Sequence, residues 1–159
     1  MQKYNKFLMM ALDLSKNHSY DYGLEYHLCS IVCKGGSVIS VGFNHRATCQ
    51  AVEMWADKVK KYRSWCMSTH SEMDAILRAR KKTDLTNCTI YTIRRRYDGG
   101  ENAMGISKPC LICQRTLADY SFSSAYWSLD SEHFAISRIN KKTGELTDKV
   151  IRCHNHPDF

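Results

Sequence analysis

The spacing of apolar residues changes period several times along the chain, and each change predicts an element. Tyr4, Phe7, Leu8, Ala11 and Leu12 fall at i, i+3, i+4, i+7 and i+8. That is one face of a 3.6-residue repeat and predicts an amphipathic helix over 3–16, ended by Asn17-His18-Ser19. Two runs rich in β-branched and apolar residues follow, at 27–33 and 37–43. Lys34-Gly35-Gly36 between them is a hairpin turn, because glycine tolerates the positive φ such turns require. Asn44 then opens an exposed loop, where it serves either as a turn residue or as a ligand contact. Residues 45–69 form a long connection. Within it, 51–62 is helix-compatible, with Val52, Trp55, Ala56 and Val59 on one side and Lys58, Lys60, Lys61 and Arg63 elsewhere. Such a segment reads as a packed insertion with a solvated basic face, or as a lid or partner surface.

From Thr69 the pattern predicts a helix to about Lys82, then a strand at 88–93 that Arg94-Arg95-Arg96 continues. A glycine-containing loop at 97–108 leads to Pro109 and a helix ending near Tyr120. Residues 125–128 form the next strand, and 134–139 with 146–151 form a hairpin around Lys141-Lys142-Thr143-Gly144. Residues 129–133 are too few for a crossover helix, so the strand after Trp127 should run antiparallel to it.

Composition narrows the class. The chain has 159 residues, 43% hydrophobic and 25% charged, which suits one soluble globular core. No apolar run approaches a membrane span and the N-terminus has no secretory pattern, so a cytoplasmic location is expected. That compartment, and the apolar surroundings of Cys29, Cys33 and Cys88, make the eight cysteines a set of thiols rather than a disulfide framework. The formal charge of +7 favours anionic partners, either phosphate-bearing small molecules or nucleic acid.

Two short stretches carry the chemistry. Thr69-His70-Ser71-Glu72 supplies a histidine with a glutamate two residues on, and Lys108-Pro109-Cys110-Leu111-Ile112-Cys113 supplies two cysteines at i and i+3. Proline opening a helix is favourable, and puts Cys110 and Cys113 on one face near the positive helix end, which favours thiolates. A His/Cys/Cys set leaves a fourth zinc position free, as catalytic rather than structural zinc does. Glu72, a non-ligand carboxylate beside His70, is the proton acceptor a zinc-activated water needs. Glu72 has a competing role: Thr69 and Glu72 also match the S/T-x-x-E capping box. A second metal at Cys153-His154-Asn155-His156 is the weaker reading of a tail that is otherwise solvated.

With His70, Glu72, Pro109, Cys110 and Cys113 in place, the chain resembles the zinc-dependent cytidine/deoxycytidylate deaminase superfamily, whose signature is H-x-E followed by P-C-x-x-C. The likeness covers roughly residues 1–128 in element order. It implies a single zinc-dependent deaminase domain over 1–159, with an α/β fold. That fold is a three-layer αβα sandwich around a central mixed β-sheet, here with a C-terminal β-hairpin. It implies zinc on His70, Cys110 and Cys113, with a water completing the coordination. Glu72 would take the water's proton, and the oxygen would attack C4 of a cytosine or C6 of an adenine. Val41-Gly42-Phe43-Asn44 is similar to the family's segment whose asparagine contacts the substrate sugar, so Asn44 and Ser71 are expected at the substrate. Many relatives carry alanine at the position of Ser71. The long 45–69 connection is similar to that of deoxycytidylate deaminases, some of which hold an extra metal there; Cys49 and Cys66 are the candidates. The antiparallel hairpin differs from the parallel arrangement implied for deoxycytidylate or tRNA-adenosine deaminases. Homo-oligomers are also implied.

Three functions follow. The first is deamination of cytosine to uracil in a nucleotide such as dCMP. The second is editing of single-stranded DNA or RNA, or of tRNA adenosine; Arg94-Arg95-Arg96 with Trp55, Tyr97 and Trp127 suit phosphates and bases, although such aromatics are also core candidates and an arginine run commonly marks a strand end entering solvent. The third is a non-catalytic zinc-stabilised binding module, against which Glu72 argues, since structural zinc has no use for it.

Overall fold

The structure is a computed structural model that describes residues 3–57, 68–98, 100 and 103–152. Helix α1 spans Lys3–Asn17, and strands β1 (His27–Lys34) and β2 (Ser37–Phe43) form the predicted hairpin. Gly35 and Gly36 both take positive φ, at 57° and 85°, as a two-residue type I′ turn demands. Helix α2 covers Gln50–Asp57; the remainder of the 51–62 prediction lies outside the described residues. Then come α3 (Ser71–Ala79), β3 (Thr89–Arg95), β4 (Met104–Gly105), α4 (Leu111–Asp119), β5 (Ser124–Ser128), β6 (His133–Ile139) and β7 (Leu146–Arg152). The two-residue β4 interrupts what the sequence predicts as plain loop.

Among the described residues the strands form one mixed sheet in the order β2-β1-β3-β5-β6-β7, with β4 beside the end of β3. β3 and β5 are parallel, joined through α4. β5 and β6 are antiparallel, as the short 129–133 connection requires. The period-two alternation of strand side chains divides the core into two layers. Cys29, Ile31, Cys33, Tyr91 and Ile93 pack under Phe7, Leu8, Ala11 and Leu12 of α1. On the other face, Val32, Ile90, Ala125 and Trp127 pack against α2, α3 and α4 through Trp55, Met73, Ile76, Ile112 and Leu117. Each such aliphatic or aromatic side chain, fully buried, contributes about 1.5–3 kcal/mol. This gives the expected three-layer αβα arrangement.

Burial also decides between two readings of the tryptophans. Trp55 and Trp127 are 7% and 1% exposed, so both are core residues and neither can stack on a base. Cys29, Cys33 and Cys88 are buried and form no disulfide among the described residues, as expected.

Candidate active site: a His/Cys/Cys metal centre beside a buried glutamate

The helices α3 and α4 begin side by side, and each begins on a metal-binding residue. His70 is the N-cap of α3 (φ −76°, ψ 154°) and Cys110 the N-cap of α4 (φ −67°, ψ 168°); neither side chain makes a capping hydrogen bond. Both side chains turn instead toward one point. The His70 Nδ1 lies 3.4 Å from the Cys110 Sγ and 3.4 Å from the Cys113 Sγ, and the three donor atoms lie within 4.8 Å of one another. Tetrahedral zinc, with bonds of about 2.0–2.1 Å to nitrogen and 2.3 Å to sulfur, places such atoms roughly 3.6 Å apart. The donor set therefore fits one zinc ion.

The sequence placed the start of α3 one residue too early, and with it the capping box. Thr69 lies before the N-cap, and its hydroxyl donates to the Ala47 carbonyl at 2.6 Å. Its backbone pairs with His45 in an isolated antiparallel bridge. Glu72 does not reach back to cap the helix. It is buried in the first turn, where its Oε2 accepts from the Ser71 hydroxyl at 3.2 Å.

Tight packing against β2 sets the position of α3. At Gly42 a Cβ would stand 2.4 Å from the Ser71 carbonyl oxygen and 2.2 Å from the Ala75 nitrogen, so only glycine admits this approach. The Ser40 hydroxyl donates to the Ala75 carbonyl at 2.7 Å, and the Asp74 carboxylate accepts the Phe43 N–H at 3.0 Å. The approach to α4 is held by serines. Ser107 Oγ donates to the Thr92 carbonyl at 2.8 Å and contacts Ser128 Oγ at 2.9 Å. Gln114 Nε2 donates to the Pro109 carbonyl at 2.7 Å, locking the turn before Cys110.

Charges at the centre are strongly coupled. The hydrogen bond with Cys113 and the neighbouring His70 outweigh burial and bring the Cys110 thiol down to about 4. Burial alone would lower the His70 imidazole, but its hydrogen bond to Cys110, with the charges of Cys110 and Glu72, pushes it up to about 9. Glu72 is raised above the ordinary carboxylate value by burial, against the opposing pull of His70.

A cavity of about 470 Å³ opens over this centre. Its walls include His70, Ser71, Glu72 and Cys110, together with Asn44, Ser107 and Arg94. The volume is within the roughly 300–1,000 Å³ usual for small-molecule sites. Asn44 lines the cavity but is half-buried rather than exposed. Its Oδ1 accepts the Leu28 N–H at 2.7 Å and its Nδ2 donates to the Tyr26 carbonyl at 2.8 Å, clamping the 26–28 strand entry.

Over residues 1–129 the chain matches the protein family described as the cytidine and deoxycytidylate deaminase zinc-binding region. The chain belongs to this deaminase family. It is accordingly a zinc-dependent hydrolytic deaminase, with one zinc site on His70, Cys110 and Cys113. Solved structures share the fold at low identity. The apo dCMP deaminase of cyanophage S-TIM5 is 15% identical with a TM-score of 0.51, over 79% of this chain and 82% of that one. The same enzyme in complex with dCMP and dUMP matches at 15% identity and a TM-score of 0.50, over 77% and 78%. Cytidine deaminase from Burkholderia pseudomallei is 12% identical with a TM-score of 0.53, over 96% and 93%. No curated protein matches the chain.

The sequence missed part of the deaminase site. Ser30 Oγ lies 2.8 Å from both Ser71 Oγ and Thr92 Oγ1, so a row of buried hydroxyls leads to Glu72. Ser30 and Thr92 are cross-strand partners on the face that elsewhere carries Val32 and Ile90. A polar residue at an apolar-phase position of a strand was the available signal. Among the described residues no second metal-binding group occurs. Cys49 is exposed, while Cys66 and the Cys153-His154-Asn155-His156 tail lie outside the described residues. Among the described residues no helix is long and apolar enough to cross a membrane.

Proposed function

We propose that the protein deaminates cytosine to uracil in a (deoxy)cytidine nucleotide such as dCMP. The observation that carries this reading is the placement of Glu72. The residue is 3% exposed, stands in the first turn after His70, and lines the cavity that His70 and Cys110 also line. Zinc, when bound, supplies the Lewis acidity that makes a water nucleophilic near neutral pH. Glu72 takes one proton from the attacking water and delivers it to N3 of the ring as the oxygen bonds to C4. It then carries the remaining proton of that oxygen to the amino group, so that the C4–N bond breaks, ammonia leaves and the C4 carbonyl remains. A carboxylate raised by burial suits both halves of that task, because it holds and releases the proton nearer to neutral pH. Ser71, fixed by Ser30, orients one carboxylate oxygen. Asn44 lines the same cavity as the starts of α3 and α4 and faces the sugar and base. The S-TIM5 enzyme seen with dCMP and dUMP supports the nucleotide as the substrate class.

Ammonia release from zinc-loaded protein is the test, with dCMP, CMP, cytidine, cytosine, guanine, and single-stranded DNA and RNA offered in turn. Activity on dCMP, lost in Glu72→Ala with zinc still bound, is the expected result. Full activity in that variant removes Glu72 from the reaction, and activity confined to adenine or guanine substrates overturns the assignment of the base.

A further inference from the structure

A second cavity, of about 610 Å³, adjoins the one over the metal centre, and the two share Glu25, Tyr26, Arg94 and Ile106 as a common wall. Arg94 stands at the end of β3, paired in register with Leu28 of β1 and Gly105 of β4. Its guanidinium carbon lies 3.9 Å over the Tyr26 ring. Among the described residues that guanidinium forms no ion pair, and its Nε is buried without a hydrogen-bond partner.

The cations around it are engaged. Arg96 holds Asp98 in a two-pronged bridge, at 2.8 Å and 2.6 Å. Arg95 donates to the Tyr97 hydroxyl at 2.8 Å and also contacts His27. Lys108 is paired with Asp148 at 2.6 Å. Glu25, the carboxylate on the shared wall, neighbours the Tyr26 hydroxyl and raises it above its ordinary value. Arg94 is thus a charged fork between two cavities, lying over an aromatic ring and in no ion pair among the described residues. A guanidinium in that state matches the geometry and charge of a phosphate ester, which accepts two parallel N–H bonds.

We propose that Arg94 is the phosphate-binding residue of this enzyme, taking the phosphate ester of the nucleotide whose base lies beside Glu72. This rests on the nucleotide reading above. Two sources of the ester share that chemistry. One is a free 5′-monophosphate. The other is a phosphodiester whose strand continues through the outer cavity past Arg95, Arg96 and Tyr97, where Tyr97 and Ile106 are 63% and 61% exposed.

Binding of unreactive ligands to zinc-loaded full-length protein separates these cases by calorimetry. The probes are deoxyuridine, dUMP, inorganic phosphate, and a pentanucleotide with deoxyuridine at its centre. The wild-type protein should bind dUMP at least about tenfold more tightly than deoxyuridine. Arg94→Gln should bring that ratio close to one without weakening deoxyuridine, and Arg94→Lys should keep part of it. A monophosphate source predicts that Arg96→Gln leaves both ligands unchanged; a strand source predicts that it weakens the pentanucleotide alone. An unchanged ratio in Arg94→Gln overturns the proposal. So does a wild-type protein that binds dUMP and the pentanucleotide no more tightly than deoxyuridine, or that binds none of the four probes. Zinc content and thermal unfolding confirm that the variants are folded. Absence of ammonia from any cytosine substrate counts against the deaminated base alone, because phosphate binding at Arg94 is read without turnover.

Discussion

The Ser30 hydroxyl lies 2.8 Å from the Ser71 hydroxyl, 41 positions away in the chain, and Ser71 in turn reaches Glu72. Ser30 therefore acts on the carboxylate through Ser71 and is a positioning residue. Ser30→Ala should lower kcat about fivefold with KM little changed, the loss of roughly 1 kcal/mol expected for one buried hydrogen bond. Ser30→Thr should restore most of it. A change in KM alone, or loss of zinc, would show that Ser30 only supports the fold. Steady-state kinetics with zinc analysis decides between them.

Glu72 offers a sharper contrast, because two roles predict opposite signs. A capping glutamate, when replaced, costs about 1 kcal/mol of stability. A carboxylate whose folded pKa is raised by burial costs stability once pH exceeds its ordinary value of 4.5, and that cost vanishes as pH falls below it. In zinc-stripped protein, Glu72→Gln should therefore raise Tm at pH 7, with the gain shrinking toward pH 4. Thermal unfolding across that range measures it; a lower Tm at pH 7 would restore the capping role.

Zinc removal should also expose the paired charges of His70 and Cys110. With the thiol near 4 and the imidazole near 9, both are ionised between those limits. In chelator-treated protein, alkylation of Cys110 should rise through about pH 4 and stay level to neutrality. Buried Cys29, whose thiol is pushed up by desolvation, should stay unreactive. His70→Ala should move the Cys110 midpoint upward. Site-resolved mass spectrometry reads each cysteine separately, and zinc should protect Cys110 and Cys113 together.

Gly42→Ala tests how α3 is seated. Its added Cβ would meet the backbone at Ser71 and Ala75, where no flexible side chain can yield. Overpacking of this kind should cost about 3 kcal/mol or more, seen as a lower denaturant midpoint. Zinc affinity should fall with it, since the same turn carries His70.

The local elements were legible because their signals are local. The period shift from α1 to β1, the two glycines of the hairpin and the short 129–133 connection each constrain only a few neighbouring residues. The H-x-E and P-C-x-x-C stretches were legible as chemistry for the same reason. What stayed open was the reading of single side chains whose roles depend on distant partners. Trp55 and Trp127 were candidates both for the core and for base stacking until the sheet and helices enclosed them. Thr69 and Glu72 looked like a cap until the bridge to His45 drew Thr69 out of the helix.

Sequence alone determined the residue types, their order and their placement at helix starts. Those suffice for the zinc ligands, because a metal constrains donor chemistry and spacing. The tertiary structure alone decided that β1 and β3 lie side by side, bringing Ser30 against Thr92 and behind Ser71. It alone placed Arg94 between two cavities over Tyr26. Those relations arise from strand register and from helices packed across a sheet. No short-range pattern in a chain encodes which of its polar residues will share one buried wall.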